Sequence, residues 1–201
     1  MRKSVTLAAG LALAATLPPA QADEFEFSGF VAGELRAYPQ APLHDGQSGA
    51  RLNPSLILQP ELRYEMNGGD DRFTFIPYAR LDSVDNKRTH GDIRELNWLH
   101  IGDGWDIKMG ADKVFWGVAE SRHLVDIINQ TDLVEDLDGE DKLGQPMVNF
   151  GLQQDWGSLN LYVMPYFRER TFIGRAGRLR GGRIVDATQE SYGSGAEEWH
   201  P

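Results

Sequence analysis

The chain has 201 residues, 41% of them hydrophobic, no cysteine and a formal charge of −10. That acidic balance argues against a nucleic-acid binder, which carries a basic footprint, and against simple adhesion to anionic lipid. The lack of cysteine excludes a disulfide framework and a thiolate metal centre, and the residues lead to no expectation of a metal site or cofactor.

The first 22 residues read as a cleaved export signal. Arg2 and Lys3 supply the positive start, Val5 to Leu17 the apolar stretch, Pro18-Pro19 the break and Ala20-Gln21-Ala22 an A-x-A cleavage site. Thirteen apolar residues are too few for a transmembrane helix, which needs about 20, and no later stretch is apolar enough. Residues 23–201 are then expected to form one β-domain with a formal charge of −12.

Seven long strands are predicted, each alternating between an apolar and a polar face. The first, 24–38, sets Phe25, Phe27, Val31 and Leu35 against Glu24, Glu26, Glu34 and Arg36. The second, 55–66, sets Leu56, Leu58, Leu62 and Tyr64 against Gln59, Glu61, Arg63 and Glu65. The third, 72–82, sets Phe73, Phe75, Ala79 and Leu81 against Arg72, Thr74, Tyr78, Arg80 and Asp82. These three strands carry 4, 3 and 3 charged residues on the polar face and none on the other, so the faces chosen from apolar residues are supported by the charges. The fourth, 93–101, is irregular: Leu96 and Trp98 outward and Glu95 and Asn97 inward leave Arg94 and His100 on the apolar face. The fifth, 105–113, points Trp105, Ile107, Met109 and Ala111 outward and Lys108 inward. The sixth, 147–155, points Val148, Phe150 and Leu152 outward. The seventh, 159–168, points Leu159, Leu161, Val163 and Phe167 outward, with Asn160, Tyr162, Tyr166 and Arg168 on its other face.

Connection lengths decide between a soluble sandwich and a membrane barrel. They run 16, 5, 10, 3, 33 and 3 residues, with 33 residues after the last strand. Long and short alternate strictly, as in outer-membrane barrels with short periplasmic turns and long extracellular loops. The short turns carry Asn, Asp and Gly, the residues of tight hairpins. The strands also have the length a tilted membrane strand needs, about 9 to 11 residues. The expected fold is therefore all-β, an antiparallel up-and-down meander forming part of a transmembrane β-barrel. Pro60, Pro77 and Pro165 oppose this reading, because proline removes a ladder donor. Seven strands do not close a barrel, whose single-chain bacterial forms have even strand numbers from 8 upward. The chain is therefore expected to be the N-terminal part of a longer polypeptide, with closure by homo-oligomerisation as the alternative.

Two segments carry a family resemblance: Gly110-Ala111-Asp112-Lys113-Val114-Phe115-Trp116-Gly117 and Val125-Asp126-Ile127-Ile128-Asn129-Gln130-Thr131-Asp132. From Gly110 onward the chain resembles porin-like outer-membrane proteins of proteobacteria, in which a strand ending in Gly-Arg-Gln runs to Trp-Gly and then to an Asp-Ile-Asn-Pro-like loop. Ala111-Asp112 stands where Arg-Gln is expected, so no role of that arginine transfers. The resemblance implies a barrel at the cell surface and supplies no substrate.

The chemistry is expected in the long connection 114–146. Asp132, Glu135, Asp136, Asp138, Glu140 and Asp141 place six carboxylates in ten residues. If the loop folds inward, it faces pore-lining wall residues Arg36, Glu61, Arg63, Arg72, Arg80, Glu95, Lys108 and Arg168, and opposed charges tune selectivity. The run Leu124–Ile128 is expected to pin the loop as a short helix. Asp136-Leu137-Asp138-Gly139 resembles half of a calcium loop, with Val134 where an acid is required, so calcium there is at most a loose surface site. Six arginines between 168 and 183 suit phosphate, including that of lipopolysaccharide. No enzyme is expected: nucleophile-elbow, zinc-protease and phosphate-loop motifs are missing, leaving only Ser121 and His123 as a weak pair. The expectation is a diffusion channel for small polar solutes in the outer membrane of a Gram-negative bacterium, contacting lipid and lipopolysaccharide. The rival is a structural or receptor-type surface protein with a plugged lumen.

Overall fold

Alternating residues joined by Gly/Asn/Asp turns build one continuous ladder. The computed structural model describes residues 5–12, 23–115 and 127–185. Its strands are β1 (Val5–Ala12), β2 (Glu24–Ala37), β3 (Leu52–Met66), β4 (Asp71–Asp82), β5 (His90–Gly102), β6 (Trp105–Asp112), β7 (Gln145–Gln154) and β8 (Gly157–Val163). They are hydrogen-bonded in sequence order in one antiparallel sheet whose two outer strands do not pair with each other. The seven predicted strands correspond to β2–β8. Among the described residues the only helical element is the 3-10 turn Asn67–Gly69. The additional strand, β1, lies inside the expected export signal and pairs along β2, Val5 opposite Ala37 and Ala12 opposite Phe30. It covers the N–H and C=O groups that β2 would otherwise present at an open edge.

The irregular fourth strand has a local cause. Ile76 pairs with Glu95 and Pro77 with Ile93, so Arg94 has no partner on β4. This β-bulge puts two consecutive residues of β5 on one side and reverses the phase of the strand. Arg94 is consequently on the polar face and buried, contrary to the strict alternation expected from sequence. His100 remains on the apolar face, where its Nδ1 lies 2.9 Å from Asp71 Oδ1.

Two of the three prolines share one gap. The β3–β4 ladder runs from Ser55–Asp82 to Leu58–Ala79, lapses, and resumes at Leu62–Phe75; continuing the register sets Pro60 opposite Pro77. Two missing donors facing each other confine the loss to one place. On the other side of β3, Pro60 faces Gly29, whose φ is +125° and whose added Cβ would lie 2.3 Å from the Gln59 carbonyl oxygen. The third, Pro165, follows the end of β8. The seventh predicted strand therefore stops at Val163 instead of 168, and Arg168 is a loop residue rather than a wall residue.

Burial is inverted relative to a water-soluble domain. Among the described residues six hydrophobic side chains are buried against twenty polar or charged ones, whereas soluble interiors are dominated by aliphatic residues. The face carrying Val31, Leu35, Leu56, Leu58, Leu81, Met109 and Leu161 is exposed. Next to the short turns this face carries rings: Phe25 with Tyr64 at 6.5 Å, Trp98 with His100 at 5.8 Å, His100 with Trp105 at 5.3 Å and Trp105 with Phe150 at 6.2 Å.

Candidate functional site

The long connection between β6 and β7 folds back over the polar face of the sheet. Its base is clamped by Asn129, whose Nδ2 donates to the carbonyls of Asp112 and Leu143, both at 2.8 Å, and whose Oδ1 accepts from the Val114 amide at 2.7 Å. Asp132 N–H then bonds Asp141 C=O at 2.8 Å, and Leu143 N–H bonds Gln130 C=O at 2.9 Å. The result is a narrow flap in which Val134 and Leu143 are buried. The expected pinning run 124–128 lies mostly outside the described residues, since 124–126 are not described. Among the described residues Ile127 is 75% exposed and the Asn129 side chain holds the base of the loop.

Three acids on the flap meet basic side chains of the sheet and of the connection between β4 and β5. Glu135 accepts from the Tyr78 hydroxyl at 2.6 Å and pairs with Arg80 at 2.5 Å. Asp132, fully buried, pairs with Arg94 at 2.7 Å and accepts from the Thr171 hydroxyl. Arg88 donates to the carbonyls of Val134 at 2.9 Å and Glu135 at 3.0 Å and pairs with Asp82 at 3.0 Å. Arg36 reaches Asp136 at 3.1 Å and also contacts Glu34, which in turn lies 3.3 Å from Arg80. The Arg94 guanidinium lies 4.3 Å from the centre of the Tyr78 ring, a cation–π stack. Burial by itself would raise the Asp132 carboxyl, but His90, Thr171 and Arg94 outweigh it and hold the group well below the ordinary carboxylate range.

A second loop, after β8, locks onto the flap and the other long connections. Gln145 bonds Tyr166 C=O and accepts from the Arg168 amide, turning the chain back across the sheet end. Arg168 pairs with Asp92 and donates to Gly144 C=O at 3.0 Å. Arg178 is buried and donates to the carbonyls of Ser48 at 2.9 Å and Gln40 at 2.6 Å, while Arg180 donates to Arg175 C=O at 2.8 Å and to Asp45 C=O. Arg178 and Arg180 thus hold backbone carbonyls and do not present themselves to a phosphate. Arg170 and Arg175 are exposed.

The predicted residues divide into two groups. Arg36, Arg80, Asp132, Glu135 and Asp136 converge in the network above. Glu61, Arg63, Arg72, Glu95 and Lys108 do not join it: Arg63 pairs with Glu61 at 3.4 Å, Arg72 with Glu65 at 2.6 Å, Glu95 with Lys113 at 3.7 Å and Lys108 with Asp112 at 2.8 Å. Asp138, Glu140 and Asp141 are exposed near the flap tip, where Asp138 accepts from the Glu140 amide at 3.1 Å. Asp136 is likewise turned onto the Leu137 amide and Arg36. Ser121 and His123 lie outside the described residues. Sequence reasoning passed over Glu34, Tyr78, Asp82, Arg88, His90, Asp92 and Arg94 as site residues. Glu34, Tyr78 and Asp82 already stood on polar faces beside chosen arginines, which was a usable signal. Arg88, His90 and Asp92 were assigned to a connection, and the bulge hid Arg94.

Two cavities flank the flap. One, of about 580 Å³, is walled by Lys87, His90, Asp132, Arg168, Arg170 and Arg175 together with apolar side chains. The other, of about 300 Å³, has Arg94, Lys113 and Lys142 as well as Glu140 and Asp141 on its wall. No family model, curated protein or solved structure matches the chain.

Proposed function

We propose that this chain forms the wall of a porin-like outer-membrane channel for small polar solutes, narrowed from inside by the 127–143 flap. The observation that carries the reading is the inverted burial: ionised side chains packed on one face of the sheet, large apolar side chains bare on the other. In water that arrangement exposes the wrong face, whereas against hydrocarbon it is the favourable one. The rings beside the short turns match an interfacial aromatic girdle. No described helix is long and apolar enough to cross a membrane. In lipid both sheet edges must be paired, because each unsatisfied backbone group there costs several kcal/mol. The smaller cavity supports a charged constriction, since acids of the flap and cations of the wall border the same space.

A second reading has its own support. The loops 38–51, 83–89, 127–143 and 168–181 bond to one another through Gln47, Asp85, Arg88 and Arg178, as a plug would, and that favours a surface protein with a filled lumen. Planar-bilayer recording of the full-length protein separates the two. Steady open steps support the channel; an intact but electrically silent protein refutes it and leaves the plug.

A further inference from the structure

His90 sits where the flap, the start of β5 and the larger cavity meet. Its Nδ1 lies 3.2 Å from the Arg88 carbonyl oxygen. A carbonyl only accepts, so Nδ1 carries a proton. Nε2 donates toward the flap acids when the ring is protonated and turns a lone pair toward them when it is neutral. Facing Nε2 are Glu135 Oε1 at 3.3 Å and Asp132 Oδ2 at 3.8 Å. Ligand atoms of the three residues lie within 4.8 Å of one another. Arg80 is engaged with the other oxygen of Glu135. Arg94 approaches Asp132 Oδ2, and a carboxylate oxygen has a second lone pair to offer. His90 Nε2 and Glu135 Oε1 are buried and without a hydrogen bond among the described residues, and the Glu135 side chain is 3% exposed.

We propose that His90, Asp132 and Glu135 bind a first-row divalent metal ion, with zinc as the reference ion. An imidazole and two carboxylates are a donor set suited to zinc. With bonds of about 2.0–2.2 Å, tetrahedral donors stand about 3.3–3.6 Å apart, against 3.3 and 3.8 Å from His90 Nε2 to Glu135 and Asp132 without any ion. The Arg88 carbonyl on Nδ1 is the outer contact that orients metal-bound histidines. A proton on Nε2 would serve one oxygen; a divalent ion serves both. Three protein ligands leave a fourth position for water or a solute, and His90 and Asp132 both form part of the wall of the larger cavity. The ion would join the flap to β5, so the site concerns the setting of the loop whether the lumen is open or filled.

The test uses the full chain in detergent, stripped with a chelator and titrated with zinc chloride by calorimetry. One equivalent is expected to bind, with affinity falling at least tenfold in His90→Gln and in Glu135→Gln. Absence of a saturable one-equivalent site overturns the proposal, and so does unchanged affinity in His90→Gln, which would put the ion on another histidine. A readout independent of variant folding is X-ray absorption on the zinc-loaded natural chain. One imidazole nitrogen with carboxylate oxygens at about 2.0–2.2 Å is expected; a shell with no imidazole, or with two or more, overturns the assignment.

Discussion

Replacing Arg80 with methionine tests whether the flap is held by buried ion pairs. Arg80 is 5% exposed and faces two acids, Glu135 at 2.5 Å and Glu34 at 3.3 Å, with Ser55 Oγ at 3.0 Å. After the substitution Glu34 still has Arg36 and, at 3.6 Å, Arg88. Glu135 keeps the Tyr78 hydroxyl and the neighbouring His90 but no guanidinium on its side chain. One nearly sequestered carboxylate thus loses its guanidinium, and removing one partner of a buried pair costs about 3–5 kcal/mol. The double variant Arg80→Met with Glu135→Leu deletes that stranded charge as well, so it should be more stable than the single variant, the residual loss being packing and the Tyr78 bond. Urea unfolding in detergent, followed by tryptophan fluorescence, measures both. A single variant within about 1 kcal/mol of the natural chain, or a double variant less stable than the single one, would refute the reasoning.

Three further outcomes follow from the same geometry. Asp136→Asn combined with Asp138→Asn removes two charges from the flap and should shift ion selectivity toward anions; an unchanged reversal potential takes this loop out of the conducting path. The lowered ionisation of Asp132 contributes stability in full above the unfolded carboxylate value of about 3.9, and that contribution drains away as pH falls from there toward the lower folded value. Protease cleavage within 127–143 should therefore accelerate below pH about 4 and be flat from 5 to 6; acceleration already at pH 5 means another group governs the flap. Leu58→Arg, at the middle of the exposed apolar face between Val31 and Ala79, should weaken folding into bilayers by about 2–4 kcal/mol, whereas an equal effect in water and in lipid vesicles would mean that this face does not meet hydrocarbon.

Much of the architecture is written locally. Period-two alternation in 24–38, 55–66 and 72–82 places side chains on faces without any knowledge of neighbours, because successive strand residues point to opposite sides. Asn67-Gly68-Gly69 and Gly102-Asp103-Gly104 mark turns because their residues tolerate turn backbones. The sheet order then follows from short links, since strands joined by two to four residues pair with each other. Strand ends are less legible: β3 begins at Leu52 and β5 at His90, each three residues before the expected start, because the partner strand continues and the ladder extends to match it.

What tertiary structure alone decided is which charges meet. Asp132 and Arg94 are 38 residues apart, Glu135 and Tyr78 57, Arg36 and Asp136 100; no local pattern encodes such pairings, which arise when the flap is laid across four strands. The bulge at Arg94 belongs to the same class, because an extra residue is visible only against the strand it is paired with. Amino-acid order by itself determined a set of two-faced ribbons and the lengths of their links, since both depend on the chain's own stereochemistry. Which polar residues became a buried network, and which stayed as solvated pairs, was settled by how far the longest link could fold back, a matter of through-space distance that sequence separation does not carry.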